Sequence, residues 1–213
     1  MIAIIDYGVG NLFSLKSSLK QLGLEAVVTA DADTIRKADR LILPGVGAFA
    51  DAMAKLEATG LVPVMKEEAE RKPLLGICLG MQMLFDESEE FGLHKGLGLI
   101  PGRVVKIPST DVQGRPQKVP HISWNPLNPA GGRTDFAGTV LAGVTPGEEC
   151  YFIHSYEAKP ADEADRLADT VYGGRAVCAA AAHGSVVGCQ FHPEKSGKVG
   201  LKIIEEYMKR AEK

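Results

Sequence analysis

Gly76-Ile77-Cys78-Leu79-Gly80 places a cysteine between two glycines, directly after the apolar pair Leu74-Leu75. This is the elbow pattern Gly-x-nucleophile-x-Gly, with cysteine in the serine position. A sharp strand-to-helix turn crowds the backbone, so small residues must flank the nucleophile. The helix start that follows offers free N–H groups and the positive end of a dipole. These favour a thiolate, and the amide of Leu79 can hold an oxyanion. Taken alone, the five residues also read as a buried structural cysteine.

A cysteine nucleophile needs a base, and the base needs an orienting partner. His192-Pro193-Glu194 supplies both residue types. Pro193 biases His192 towards an extended backbone, and residues i and i+2 of an extended segment point to one side. The Glu194 carboxylate can then fix the imidazole tautomer. Alone, the tripeptide also reads as a loop histidine with a surface glutamate; the cysteine elbow upstream favours the pair. His94, His121, His154 and His183 have no carboxylate two residues on. His94 and His183 read as solvated or structurally satisfied, and Cys178 and Cys189, in apolar runs, as core.

The elements that must position these groups are legible upstream. Ile2 to Ile5 is a buried strand ending at Asp6. Asn11 caps a helix carrying Leu12, Leu15, Leu19 and Leu22, with Gly23 as its stop. Leu24 to Val28 is a second strand, followed by a short helix near Asp33 to Ala38. Leu41 to Leu43 is a third strand, stopped by Pro44-Gly45. Helices are expected over Phe49 to Ala58 and Leu61 to Arg71, and Leu74 to Ile77 is a fourth strand running into a further helix. Apolar strands separated by helices predict an α/β fold: a Rossmann-like twisted, mostly parallel central sheet flanked by helices.

The second half is β-rich. Strands are expected at Val104 to Ile107, Val119 to Trp124, Tyr151 to Tyr156, Ala168 to Tyr172, Ala176 to Ala182 and Val186 to Phe191, punctuated by Pro and Gly. Ser196 is expected to cap a final helix bearing Leu201, Ile204 and Met208. The glycine-rich stretch from Glu90 to Pro101 reads as a loop inside one domain spanning residues 1–213.

Composition narrows the function. The 24 Lys+Arg against 27 Asp+Glu give a net charge of −3, with no basic footprint for nucleic acid. No apolar run approaches the ~20 residues that cross a bilayer. Met1-Ile2-Ala3-Ile4-Ile5 lacks the basic start of a signal peptide. Four cysteines without C-x-x-C spacing fit neither a disulfide framework nor a zinc site. The expectation is a cytoplasmic protein without metal, cofactor or P-loop.

Gly76-Ile77-Cys78-Leu79-Gly80-Met81-Gln82, together with His192-Pro193-Glu194, resembles the class I (triad) glutamine amidotransferases. Leu43-Pro44-Gly45-Val46-Gly47-Ala48-Phe49 narrows the resemblance to the glutaminase subunits of imidazole glycerol phosphate synthase. Asp6-Tyr7-Gly8-Val9-Gly10-Asn11-Leu12, Phe85 to Glu90, Val119 to Asn125, Tyr151 to Tyr156 and Gln190 to Ser196 agree with it. The resemblance therefore covers essentially the whole chain. It implies a Cys78–His192–Glu194 triad that hydrolyses glutamine, with the amides of Val46 and Leu79 as oxyanion donors. It further implies that Gly47, Gln82, Glu90, His154, Ser155 and Tyr156 bind glutamine, Glu90 receiving its α-ammonium. Asn11, Trp124, Tyr151 and Lys195 match interface or gate positions. Ser123 stands where the family carries glycine.

The implied partner is the (β/α)8-barrel cyclase subunit, in a heterodimer through which ammonia is channelled to make imidazole glycerol phosphate and aminoimidazole carboxamide ribonucleotide in histidine biosynthesis. The glycines of Gly45-Val46-Gly47 would let the peptide between them take two orientations. Two rival readings are an amidotransferase subunit serving another acceptor and a non-catalytic module that keeps the fold.

Overall fold

The computed structural model describes residues 1–209. Its elements, in chain order, are β1 (Ile2–Ile5), α1 (Leu12–Gln21), β2 (Ala26–Thr29), α2 (Ala32–Lys37), β3 (Arg40–Gly45), α3 (Phe49–Ala58), α4 (Val62–Ala69), β4 (Leu74–Cys78), α5 (Leu79–Met83), β5 (Phe85–Ser88), β6 (His94–Lys95), β7 (Ile100–Lys106), β8 (His121–Pro126), β9 (Asn128–Pro129), β10 (Glu149–His154), β11 (Tyr156–Pro160), β12 (Arg166–Tyr172), β13 (Arg175–His183), β14 (Val186–Cys189) and α6 (Gly197–Lys209).

The main sheet has eight strands in the order β2-β1-β3-β4-β14-β13-β12-β9. The first five are parallel, and β13, β12 and β9 extend the sheet antiparallel. Alternate residues feed two cores. Ala3, Ile5 and Leu74 face Ile35, Phe49, Leu56 and Met65 of α2, α3 and α4. Ile2, Ile4, Leu75 and Ile77 face Leu15 and Leu19 of α1 and Ile203, Ile204 and Tyr207 of α6. Burial on both faces is why these strands read as unbroken apolar runs. The Tyr207 hydroxyl satisfies two carbonyls, Leu41 O at 2.7 Å and Pro73 O at 3.0 Å.

Local signals explain several boundaries. The Asn11 side chain accepts from the amide of Ser14 at the start of α1, and Gly23 follows the helix at φ +70°. The buried ammonium of Lys72 sits 2.6 Å from Glu68 Oε2 and donates to the carbonyls of Ile35, Arg36 and Ala38. It thereby satisfies the orphan carbonyls at the end of α2.

Five expectations are corrected. Pro44-Gly45 does not stop β3, because the β1 ladder ends at Ile42 and only the β4 side stays paired, through Pro44–Ile77 and Gly45–Cys78. Glu90 to Pro101 is not all loop: β6 lies within it, completing a second sheet, β11-β7-β5-β6. Tyr151 to Tyr156 is two strands that part at Ser155, β10 pairing with β8 and β11 with β7. Ser196 does not spend its hydroxyl as a cap for α6; it donates to His192 O at 2.7 Å and accepts from Tyr151 N at 3.0 Å. The buried face of α6 is Gly200, Ile203, Ile204 and Tyr207, so Leu201 and Met208 lie at its margins.

Candidate active site

Cys78 ends β4, at the carboxyl edge of the parallel sheet where open α/β folds place their ligands. Its backbone is left-handed, with φ 54° and ψ −111°. The glycines around it are set by steric contact. A Cβ on Gly80 would lie 1.9 Å from Leu43 O, one on Gly76 2.7 Å from Gly80 O, and one on Gly45 2.6 Å from Gly80 N. The elbow thus packs backbone on backbone against β3, and Gly45 is a packing glycine. Gly47, at φ +98° with open space around it, is the residue of that segment chosen for conformation.

The register of β14 beside β4 pairs Cys189 with Ile77. Chain leaving β14 therefore emerges beside Cys78 and carries His192 there. His192 is extended, at φ −100° and ψ 96°, but Pro193–Lys195 forms a 3-10 turn rather than continuing the strand. The turn still brings Glu194 Oε1 to 2.8 Å from His192 Nδ1, with both side chains sealed from solvent. Burial by itself would lower the histidine pKa. Hydrogen bonds to Cys78 and Glu194 outweigh it and raise the value to about 9.

These groups open onto a cavity of about 350 Å³. It gathers Cys78, His192, Val46, Leu79, Gly47, Gln82, Glu90, His154, Ser155, Tyr156 and Lys195, along with Pro120 and Ile153, which the sequence reading did not single out. Glu90 has a second contact: its Oε2 accepts from the Phe49 amide at 2.7 Å, at the start of α3. Gln82 is nearly buried, and its Nε2 donates to Tyr156 O at 3.0 Å and to Gln190 Oε1 at 2.9 Å.

His154 turns its ring into a buried line. Its Nδ1 is 2.8 Å from Tyr156 O and its Nε2 3.0 Å from His121 Nδ1. His121 Nε2 is 2.9 Å from Ser123 Oγ, and the ring stacks on Tyr172 with centroids 4.0 Å apart. Burial lowers the pKa of both histidines, that of His154 to about 3. Ser123 Oγ in turn donates to Asn125 Oδ1, and Asn125 Nδ2 donates to Val171 O at 3.1 Å, so a polar chain runs from the cavity through His154, His121 and Ser123 to β12.

The remaining residues lie around the mouth. Trp124 is exposed on β8, opposite Tyr151 of β10 in register, with ring centroids 6.0 Å apart. Tyr151 lies 6.4 Å from the His192 ring, and the Lys195 ammonium sits 5.9 Å above the Tyr151 ring. Asn11 lies outside the main cavity and lines a space of about 10 Å³ with His192 and Glu194. A larger open groove of about 790 Å³ between α1 and the β2 edge contains no cysteine or histidine. The other three cysteines are buried, and burial pushes the thiols of Cys150 and Cys178 up to about 12 and that of Cys189 higher still.

Gln190 was missed by the sequence reading. The available signal was its place two residues before His192 in one extended segment, which aims both side chains to the same side.

The chain matches known proteins along nearly its whole length. The family model Glutamine amidotransferase class-I matches residues 3–210. A protein of Legionella pneumophila (strain Lens), named imidazole glycerol phosphate synthase subunit HisH 1, is 45% identical over 97% of this chain and 98% of its own length. The subunit HisH of Geobacillus kaustophilus is 49% identical over 98% of this chain and 96% of its own. Among solved structures, a glutamine amidotransferase crystal structure superposes with a TM-score of 0.72 at 19% identity, covering 98% of this chain and all of that one. The structure of PurLQS from Thermotoga maritima gives 0.70 at 19% identity, covering 97% and 96%. With nearly half of its residues shared along almost its whole length, the chain belongs to the class-I glutamine amidotransferase family and, within it, to the HisH subunits of imidazole glycerol phosphate synthase.

Proposed function

We propose that this chain, a single amidotransferase domain, hydrolyses glutamine to glutamate through a Cys78–His192–Glu194 triad and passes the ammonia to a cyclase subunit. The observation that carries the reading is the meeting of Cys78, the His192–Glu194 pair and the Glu90 carboxylate around one cavity. Cys78 Sγ attacks the side-chain amide carbon, and His192 holds the thiol proton. Glu194 keeps the imidazole oriented and stabilises its charge. The amides of Val46 and Leu79 receive the oxyanion. His192 then donates its proton to the departing nitrogen, ammonia leaves, and a γ-glutamyl thioester remains. His192 takes a proton from water as it attacks the thioester, which releases glutamate and returns the thiol.

Glu90 receives the α-ammonium of glutamine, and Gly47, Gln82, His154, Ser155 and Tyr156 line its pocket. Exposed Ile122 and Trp124 lie opposite Ile153 and Tyr151, an apolar ribbon beside the cavity mouth. It fits a protein partner, the (β/α)8-barrel cyclase subunit, in a cytoplasmic heterodimer. Asn11 and Lys195 flank that contact, and Tyr151 and Lys195 form the gate through which ammonia leaves. The partner joins the ammonia to a phosphoribulosyl substrate, giving imidazole glycerol phosphate for histidine synthesis and aminoimidazole carboxamide ribonucleotide.

The test is glutamate release from glutamine by the chain with and without the cyclase, beside labelling of Cys78 by a glutamine-analogue electrophile. Cys78→Ala is expected to lose hydrolysis while still binding the cyclase and supporting synthesis from added ammonia. Hydrolysis retained in Cys78→Ala overturns the triad.

A further inference from the structure

We infer that Gln190 is a positioning residue for the nucleophile: its side-chain amide donates to Cys78 Sγ and favours the thiolate over the thiol. The inference rests on Cys78 being the nucleophile. Gln190 is fully buried, and its Nε2 lies 3.8 Å from Cys78 Sγ.

The direction of that amide is fixed by a chain of contacts. Tyr156 O is a backbone carbonyl and can only accept. Facing it at 3.0 Å, the Gln82 amide must present its NH₂. The same Nε2 meets Gln190 at 2.9 Å, so the Gln190 atom there is the carbonyl oxygen. The Gln190 NH₂ is thereby turned to the sulfur. Reversing it would set an NH₂ against an NH₂ on one side and an oxygen against a thiolate on the other.

The sulfur has a competing partner. Cys78 Sγ lies 3.7 Å from Ile153 O, an acceptor that favours the protonated thiol. When the proton passes to His192, the Ile153 contact loses its hydrogen, whereas the Gln190 donor gains a charged acceptor. A hydrogen bond to a charged group is worth more than one to a neutral group. Gln190 therefore offsets the carbonyl that would hold the thiol protonated. Cys78 acts on two titratable side chains, His192 and Tyr7; the Tyr7 hydroxyl donates to Pro44 O at 2.7 Å, and its pKa is raised by burial and then by Cys78.

The decisive variant is Gln190→Met, which keeps the length of the side chain and removes the donor to Cys78; it also removes one acceptor of Gln82 Nε2, which keeps Tyr156 O as its partner. We compare glutamine hydrolysis in the cyclase complex with alkylation of Cys78 by iodoacetamide across pH. The expected result is a fall in kcat of roughly 10–100-fold, about the worth of one hydrogen bond to a charged group. KM should stay within about twofold, and the alkylation profile should move to higher pH. A variant that melts earlier but keeps the wild-type alkylation profile and kcat overturns the inference.

If Gln190→Met does not fold, the glutamine side-chain amides of wild type and Cys78→Ala are compared by ¹⁵N NMR. A buried NH₂ pair belonging to neither Gln82 nor an exposed glutamine should shift when the sulfur is removed; no such shift overturns the inference. The two readings fail separately. Wild-type Cys78 that resists a glutamine-analogue electrophile defeats the catalytic reading. Labelling of wild type and Gln190→Met at equal rates defeats only the role of Gln190.

Discussion

His192 Nδ1 lies 2.8 Å from Glu194 Oε1 although only one residue, a proline in a 3-10 turn, separates them. Hydrogen bonds to Cys78 and Glu194 together hold the His192 pKa at about 9, above its ordinary 6.5. A histidine raised on folding contributes stability that is fully present below the unfolded value and lost as pH climbs through the folded one. Thermal melts of wild type and His192→Asn should therefore differ most below pH 6.5 and converge between pH 6.5 and about 9. A difference that grows over that range contradicts the raised value.

Gly80→Ala should damage the protein far more than its size suggests. The new Cβ would sit 1.9 Å from Leu43 O, a backbone atom of β3 that cannot swing away. The expected loss is ~3 kcal/mol or more, or failure to fold. Gly47→Ala meets no atom within 4 Å and carries only the strain of φ +98°, about 1–3 kcal/mol. Denaturant unfolding of the two variants checks the order.

Lys72→Met strands a buried carboxylate. Lys72 is the cation beside Glu68 and the donor to three carbonyls at the end of α2. Breaking a buried pair from one side costs roughly 3–5 kcal/mol, whereas replacing both partners with apolar residues is often far milder. The double variant Glu68→Leu/Lys72→Met should thus be more stable than Lys72→Met alone. The comparison of their urea midpoints decides.

Trp124→Ala should leave the isolated chain folded and weaken the cyclase complex. Trp124 is half exposed, so the monomer loses little packing. An aromatic anchor at an interface costs ~2 kcal/mol or more when truncated, about a 30-fold loss of affinity. Calorimetric titration with the cyclase measures it, and an unchanged affinity removes Trp124 from the interface.

Much of this arrangement was legible in the sequence because short-range physics dictates it. The Asn11 cap, the bounds of α3 and the glycines of the elbow follow from local hydrogen bonding and sterics. The small β5–β7 sheet was less legible. Asp86 and Glu87 interrupt the apolar pattern of β5, whose buried ends are Phe85 and Ser88. Pro44 within β3 was unreadable without knowing where the β1 ladder stops. At the site, the cysteine and the histidine–glutamate pair could be read from spacing. The cavity residues of β10 and β11 entered only through family resemblance, because the register that brings them there is long-range. Gln190 escaped because an amide carries no charge or nucleophile to draw attention.

Cys78 is one of two described residues other than glycine with a left-handed backbone. A side chain held in such a region costs on the order of 1–3 kcal/mol. Glycine would be relieved of that strain, so Cys78→Gly should melt above Cys78→Ala even though it lacks one more carbon. The position is thus one where conformational ease and the retained residue point in opposite directions. Selection for stability alone would drift residue 78 to glycine; a thiol kept there runs against that drift, in the direction that the proposed role of Cys78 as nucleophile demands.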